Sequence, residues 1–185
     1  TGTVHLETRV KRVASAGAGF EVTLESRSPE GETVTRVERY DEVILATNPN
    51  TAALLLPEVC PMASDLVFDV DMAPVVVMHA GFDESVLPKL PPAFGYLVPR
   101  PQRMRALGWL FSSMIFEGRA PEGKIAMTGF IGGARDAEIV DASPSSIRDT
   151  MLGELSVALR MHEIPRPEYV SVHYHSPGLP QHAPG

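Results

Sequence analysis

A chain of 185 residues, 44% hydrophobic and 21% charged, can bury the core of one large or two small domains and is not disordered by composition. A formal net charge of −7 with no basic stripe sets nucleic acid aside as a partner, and the single cysteine, Cys60, excludes an internal disulfide and fits a reducing compartment. No run of about 18 apolar residues offers a membrane-crossing helix, no signal peptide leads the chain, and the opening residue Thr1, with strand-like residues directly behind it, reads as an internal piece of a larger protein.

In chain order, Val4–Val13, Phe20–Leu24 and Thr33–Val37 read as strands joined by turns at Gly17-Ala18-Gly19 and Pro29-Glu30-Gly31, an antiparallel meander with one wet face. Gly17-Ala18-Gly19 precedes a strand, so it lacks the helix N-terminus that a phosphate loop needs. Val43–Thr47 is a short continuous apolar run, expected as a strand buried on both faces. Asn48-Pro49 stops it, and Thr51–Leu56 predicts a short helix. Composition shifts after Pro57, and a boundary between two structural pieces is expected near here, giving domains 1–48 and 49–185. Cys60–Asp71 reads as a connection, and Pro74–Phe82, with its run of valines, as a strand in the middle of a sheet.

Three more strand-like runs follow, Phe94–Val98, Ala106–Phe111 and Ile125–Ile131, split by polar turns at Gln102–Arg105 and Glu117–Lys124. Alternation through Trp109, Leu110, Phe111 and Ser112 gives two distinct faces, one able to build a core and the other to line a pocket for a large flat apolar ligand. An ordinary sandwich core would carry the same pattern. Ser143 suits an N-cap and Pro144 a first helical position, and Ile147, Met151, Leu152, Leu155, Ala158 and Leu159 give one apolar face to a helix over 144–161. Ile164–Pro167 ends it, and Tyr169–His175 reads as a last strand before an irregular tail. The fold class is α/β in the α+β sense: a mixed sheet of about five or six strands flanked by helices, with the antiparallel meander at the N-terminus.

The residue chemistry is sparse. No pair of carboxylates stands out as acid and base, and Ser112-Ser113 lacks a nucleophile elbow, so no catalytic side chain is expected. His173 and His175 share a strand face and His182 lies nearby, but without acidic or cysteine partners a solvated or rim pair is the expectation, and no metal site. Cys60, set among Val and Pro, reads as an inert thiol.

The segment LGWLFSSMIFEGRAPEG, followed by MTGFIGGARD, resembles the central part of the FAD-dependent protoporphyrinogen oxidases, a branch of the flavin-containing amine oxidase superfamily. The matched residues are Leu107, Gly108, Leu110, Ser112, Ser113, Phe116, Arg119, Ala120, Pro121, Gly123, Phe130, Gly132 and Gly133, with Phe94–Pro99 similar to the run just upstream. The meander followed by D-x-V-I-L-A-T resembles the FAD-domain portion of the superfamily, although Asn48 intervenes where that pattern sets Pro directly after Ala-Thr. The resemblance implies a substrate face in which Leu97 and Leu110 sandwich one pyrrole ring, Phe130 stacks on another, and Gly95 lets backbone come close to the ligand. It implies FAD contacts at Val10, Ala46 and Thr47, hydride transfer from a porphyrinogen to FAD with O₂ as acceptor, and a place in tetrapyrrole biosynthesis. It also implies that the phosphate-binding glycine loop, a propionate-binding arginine and a C-terminal flavin segment lie outside this sequence, so that the piece alone is not expected to hold FAD or turn over. A related flavin oxidase acting on coproporphyrinogen III or an amine, and a ligand-binding module without redox function, are the alternatives. The same reading implies a cytoplasmic protein, leaves open a peripheral contact with the inner face of the cell membrane, and allows a homodimer.

Overall fold

The computed structural model describes residues 2–181, in two compact units, Thr1–Asp71 and Met72–Gly185. The boundary expected at 48/49 falls inside the first unit. His182 lies outside the described residues.

In the first unit, β1 (Thr8–Ala16), β2 (Gly19–Arg27) and β3 (Thr33–Tyr40) form an antiparallel meander in that order. Gly17, at φ +63°, takes the left-handed position of the first turn at little steric cost. Val13, Val22 and Leu24 make a small core with Leu55 of α1 (Pro49–Leu55). Helix α1 opens where the sequence punctuates it: Asn48 Oδ1 accepts the Thr51 N–H at 2.8 Å and Pro49 follows the cap. Two expectations fail here. Residues 60–71 are not a plain connection, because Pro61 opens α2 (Pro61–Phe68), tied to α1 by Ser64 Oγ donating to the Ala53 carbonyl at 2.7 Å. Val43–Thr47 forms no strand, and Ile44 is 91% exposed. A strand buried on both faces needs ladder partners, and no described strand pairs with this segment; only Val43 and Leu45 lean on the small core.

The second unit is a five-stranded sheet in the order β5-β6-β7-β4-β8, from β4 (Met72–Asp83), β5 (Gly95–Leu97), β6 (Ala106–Leu110), β7 (Lys124–Gly132) and β8 (Tyr169–Pro180). The α+β class and its N-terminal meander stand as expected. Within that class, every ladder in both sheets is antiparallel. Helix α4 (Pro144–Ala158) supplies the buried Ile147, Met151, Leu152 and Leu155, which pack with Val76, Met78, Ala80, Phe82, Trp109, Met127 and Ile131 from one face of the sheet. Trp109, 1% exposed, lies over Gly129: a Cβ built there would come within 2.8 Å of the indole and 2.4 Å of Met151 Cε. A short helix, α3 (Ser112–Ile115), follows β6 ahead of the turn expected at Glu117–Lys124, where the sequence reading assigned no helix. Among the described residues, no helix is long and apolar enough to cross a membrane.

Candidate functional site

Strand alternation assigns the opposite face of the five-stranded sheet. Antiparallel partners point the same way, so the register fixes which side chains share that face. One row runs Leu97, Gly108, Phe130, Val77, His173 across β5, β6, β7, β4 and β8. The neighbouring row runs Gly95, Leu110, Thr128, His79, Ser171. Leu97, Leu110 and Phe130, singled out from sequence, therefore all stand on the face turned away from α4, and Gly108 leaves the space between Leu97 and Phe130 bare. Leu97 is 83% exposed and Leu110 39%.

Gly95 and Gly108 have a structural task of their own. With φ of +149° and +153°, a Cβ at either would meet a backbone carbonyl oxygen of the paired strand, Trp109 O at 2.0 Å and Tyr96 O at 2.2 Å. Only glycine lets β5 and β6 approach this closely.

A cleft of about 730 Å³ opens on this face, within the usual range for small-molecule sites. Leu110, Phe116, Ala120 and Pro121 give it apolar walls, and His79, Ser112, Thr128, Arg119, Lys124 and Glu168 supply its polar groups. Leu97 and Phe130 share the face but lie outside the lining of the cleft. Six of the residues of the sequence motif, Leu110, Ser112, Phe116, Arg119, Ala120 and Pro121, converge on it.

Its polar residues are ordered by one another. The Thr128 hydroxyl shares hydrogen bonds with His79 Nδ1 at 3.0 Å and Ser112 Oγ at 2.8 Å. The His173 ring lies 5.5 Å from that of His79, edge-on. Partial burial, and then the neighbouring His173, push the His79 imidazole below its ordinary pKa, so the ring is neutral near pH 7. Lys124 Nζ donates to Asp83 at 3.0 Å and Glu168 at 2.7 Å, which raises the ammonium pKa. Asp83 is held far below the usual carboxylate range, first by the Ser85 hydroxyl and N–H, then by Lys124. The Arg119 guanidinium sits 5.6 Å from the Phe116 ring centroid, a cation–π distance. Sequence reasoning missed His79 and Thr128. The signal was present as a polar residue at the outward parity of each of two adjacent apolar strands.

Other expected positions fall elsewhere. His173 and His175 are both exposed on β8, and His173 Nε2 pairs with Ser171 Oγ at 3.1 Å. Among the described residues no three His, Cys, Asp or Glu side chains gather as a metal site. In the first unit, Val10 lies on β1, an edge strand, next to a register shift between Val10 and Arg12. Ala46 and Thr47 are exposed on the unpaired segment after β3. Among the described residues, no glycine-rich loop leads into a helix to hold a pyrophosphate.

Residues 1–178 match the family described as flavin containing amine oxidoreductase. The mitochondrial protoporphyrinogen oxidase of Nicotiana tabacum is 31% identical over 123 residues, covering 65% of this chain and 24% of that protein. The chloroplastic protoporphyrinogen oxidase of the same plant is 28% identical over 174 residues, covering 90% of this chain and 31% of that protein. The chain thus spans less than a third of the length of either relative. Cyclohexylamine oxidase from Brevibacterium oxydans IH-35A superposes with a TM-score of 0.60 at 19% identity, over 90% of this chain and 34% of that one, a likeness of fold.

Proposed function

The chain belongs to the flavin-containing amine oxidoreductases, and on that premise we propose that it supplies the substrate-facing sheet, and a strip of the FAD-binding part, of an oxidase that converts protoporphyrinogen IX to protoporphyrin IX. The observation that carries this reading is the convergence of six motif residues on one cleft, on the face that also bears Leu97 and Phe130. A flat ring laid on this face meets Leu110 at the cleft wall and the aromatic face of Phe130 one row along, while Gly108 leaves the sheet open beneath it. Leu97 and Leu110 hold the ring from two paired strands, β5 and β6, and so position it for reaction.

A bound FAD supplies the two-electron acceptor, with O₂ reoxidising it. Val10, Ala46 and Thr47 would meet the cofactor through backbone groups. What this chain contributes to the reaction is placement of the ring; the carboxylate of its cleft, Glu168, is tied to Lys124. We assign contact with a membrane surface or a second copy to the first unit, where Ile44, Leu54, Leu66 and Phe68 are exposed. A cytoplasmic setting, in which Cys60 stays reduced, completes the reading.

The test is a purified full-length protein carrying this chain. The reading predicts a flavin absorbance band and porphyrin fluorescence that rises above the autoxidation control when protoporphyrinogen is added. Bound flavin with turnover of coproporphyrinogen or an amine instead would move the reading to another substrate in the same family. A folded protein without flavin would overturn it.

A further inference from the structure

Two imidazoles stand on the face that carries the cleft. His79 lines the cleft from β4, and His173 on the edge strand β8 lies beside it, ring centroids 5.5 Å apart and edge-on. Burial and His173 keep His79 neutral near pH 7, the form in which an imidazole offers a lone pair to a metal. Its Nδ1 lies 3.0 Å from Thr128 Oγ1, which lies 2.8 Å from Ser112 Oγ. Both hydroxyls can rotate. Whichever ring nitrogen carries the proton in the free protein, a metal at Nε2 selects the form in which Nδ1–H donates to Thr128 and Thr128 donates to Ser112. That is the kind of outer hydrogen bond that orients a ligating histidine.

The pair is too small a set for a bare ion. A zinc site takes three or four protein ligands, and no three His, Cys, Asp or Glu side chains gather among the described residues. A metal already held by the four nitrogens of a flat macrocycle needs only an axial imidazole. His79 and His173 rise from the same face of the sheet, so a ring laid there has both on one side, and only one can ligate. His79 is that one, because it lines the cleft and His173 does not. Leu110 lies in the same row as His79, two strands away or about 10 Å. A ring resting on His79 by its metal thus brings its edge to the Leu110 wall. Charge does not make the choice, since Lys124 is tied to Asp83 and Glu168.

We propose that the cleft also takes a metal complex of a flat tetrapyrrole, with His79 Nε2 as the axial ligand. The metal–Nε2 bond forms and an axial water leaves; no oxidation state changes. This rests on the reading of the cleft as the substrate site and adds to it a regulator of that site. The metal-bearing ring occupies the place of the porphyrinogen, so the product of a later metal insertion restrains the oxidation that supplied its ring.

Two probes with the same ring and the same substituents separate metal coordination from ring binding: ferric mesoporphyrin IX and metal-free mesoporphyrin IX, each titrated by absorbance against the flavin-bearing full-length protein. The metal complex is expected to bind about tenfold tighter than the free ring, and its reduced form to show an iron–imidazole stretch by resonance Raman. His79→Ala is expected to remove both the preference and the stretch while leaving the metal-free ring bound as before, and added imidazole to restore the stretch. His173→Ala is expected to keep both. In turnover, the ferric complex should raise the KM for protoporphyrinogen and leave kcat unchanged. A wild-type protein without the stretch, a stretch that survives His79→Ala, or inhibition that lowers kcat alone would overturn the proposal. Leu110→Asp separates the two levels. If it abolishes binding of both probes while His79→Ala changes nothing, the inference fails and the cleft reading stands. If Leu110→Asp changes neither probe, the cleft reading fails and carries the inference with it.

Discussion

A methyl group added at Gly108 would meet the Tyr96 carbonyl oxygen at 2.2 Å, in a backbone conformation, φ +153°, that side chains rarely adopt. Since the obstacle is backbone and not the end of a flexible side chain, Gly108→Ala is expected to cost about 3 kcal/mol of stability, read from the urea midpoint. A cost near zero would mean that β5 does not pair with β6 as described. His79 makes a second prediction at this scale. Its pKa is lowered in the folded protein by burial and by His173. Above about pH 6.5 both folded and unfolded states hold a neutral ring, and His79 contributes nothing to the pH dependence. As pH falls through that value the unfolded chain takes the proton first, so stability declines until the folded pKa is passed. Imidazole proton NMR should place the His79 midpoint below the unperturbed value, and His79→Phe should flatten the acid slope of stability in that window.

At the scale of elements, α4 does more than cover the sheet. Glu154 accepts the backbone N–H groups of Arg105 and Ala106, both at 2.8 Å, and so fixes where β6 begins. Glu154→Ala leaves two donors at the strand entry without that acceptor and is expected to cost about 2 kcal/mol, measured by chemical denaturation. Helix α4 itself was legible in the sequence, because a capping serine, a following proline and a 3.6-residue apolar spacing agree; Ser143 Oγ does accept the Ser146 N–H, at 3.2 Å. Strand β6 was legible for a similar reason: Trp109 and Phe111 go inward and Leu110 outward, as alternation requires. Val43–Thr47 was misread because an apolar run reports a tendency to be covered, and the covering strands are a property of the sheet, not of the run. Helix α2 was missed because Cys60-Pro61 reads equally as a loop or as a helix start until a tertiary contact, here Ser64 to Ala53, decides. Leu97, Leu110 and Phe130 came from a motif, but their shared face comes from the register, which no short stretch of sequence states. His79 was hidden for the same reason, since its partner Thr128 lies 49 residues away.

At the scale of the whole molecule, two units divide the work by what they expose. The second has a filled core between α4 and one sheet face, and its other face carries the cleft. The first has a core of four buried residues and several bare apolar side chains, among them Ile44, Leu66 and Phe68. If chemistry takes place on the sheet face turned away from α4, a charge set on that face must stop it and a charge on the far side of the helix must not. The most direct test sets a charge on each side of that unit in the flavin-bearing full-length protein: Leu110→Asp in the cleft, and Val157→Asp on the exposed side of α4. Porphyrin fluorescence on addition of protoporphyrinogen is then followed. A substrate ring on that face gives a loss of at least about a hundredfold in kcat/KM for Leu110→Asp, through a charge buried against the ring, and a rate for Val157→Asp equal to wild type. Wild-type turnover by a folded Leu110→Asp protein would contradict it.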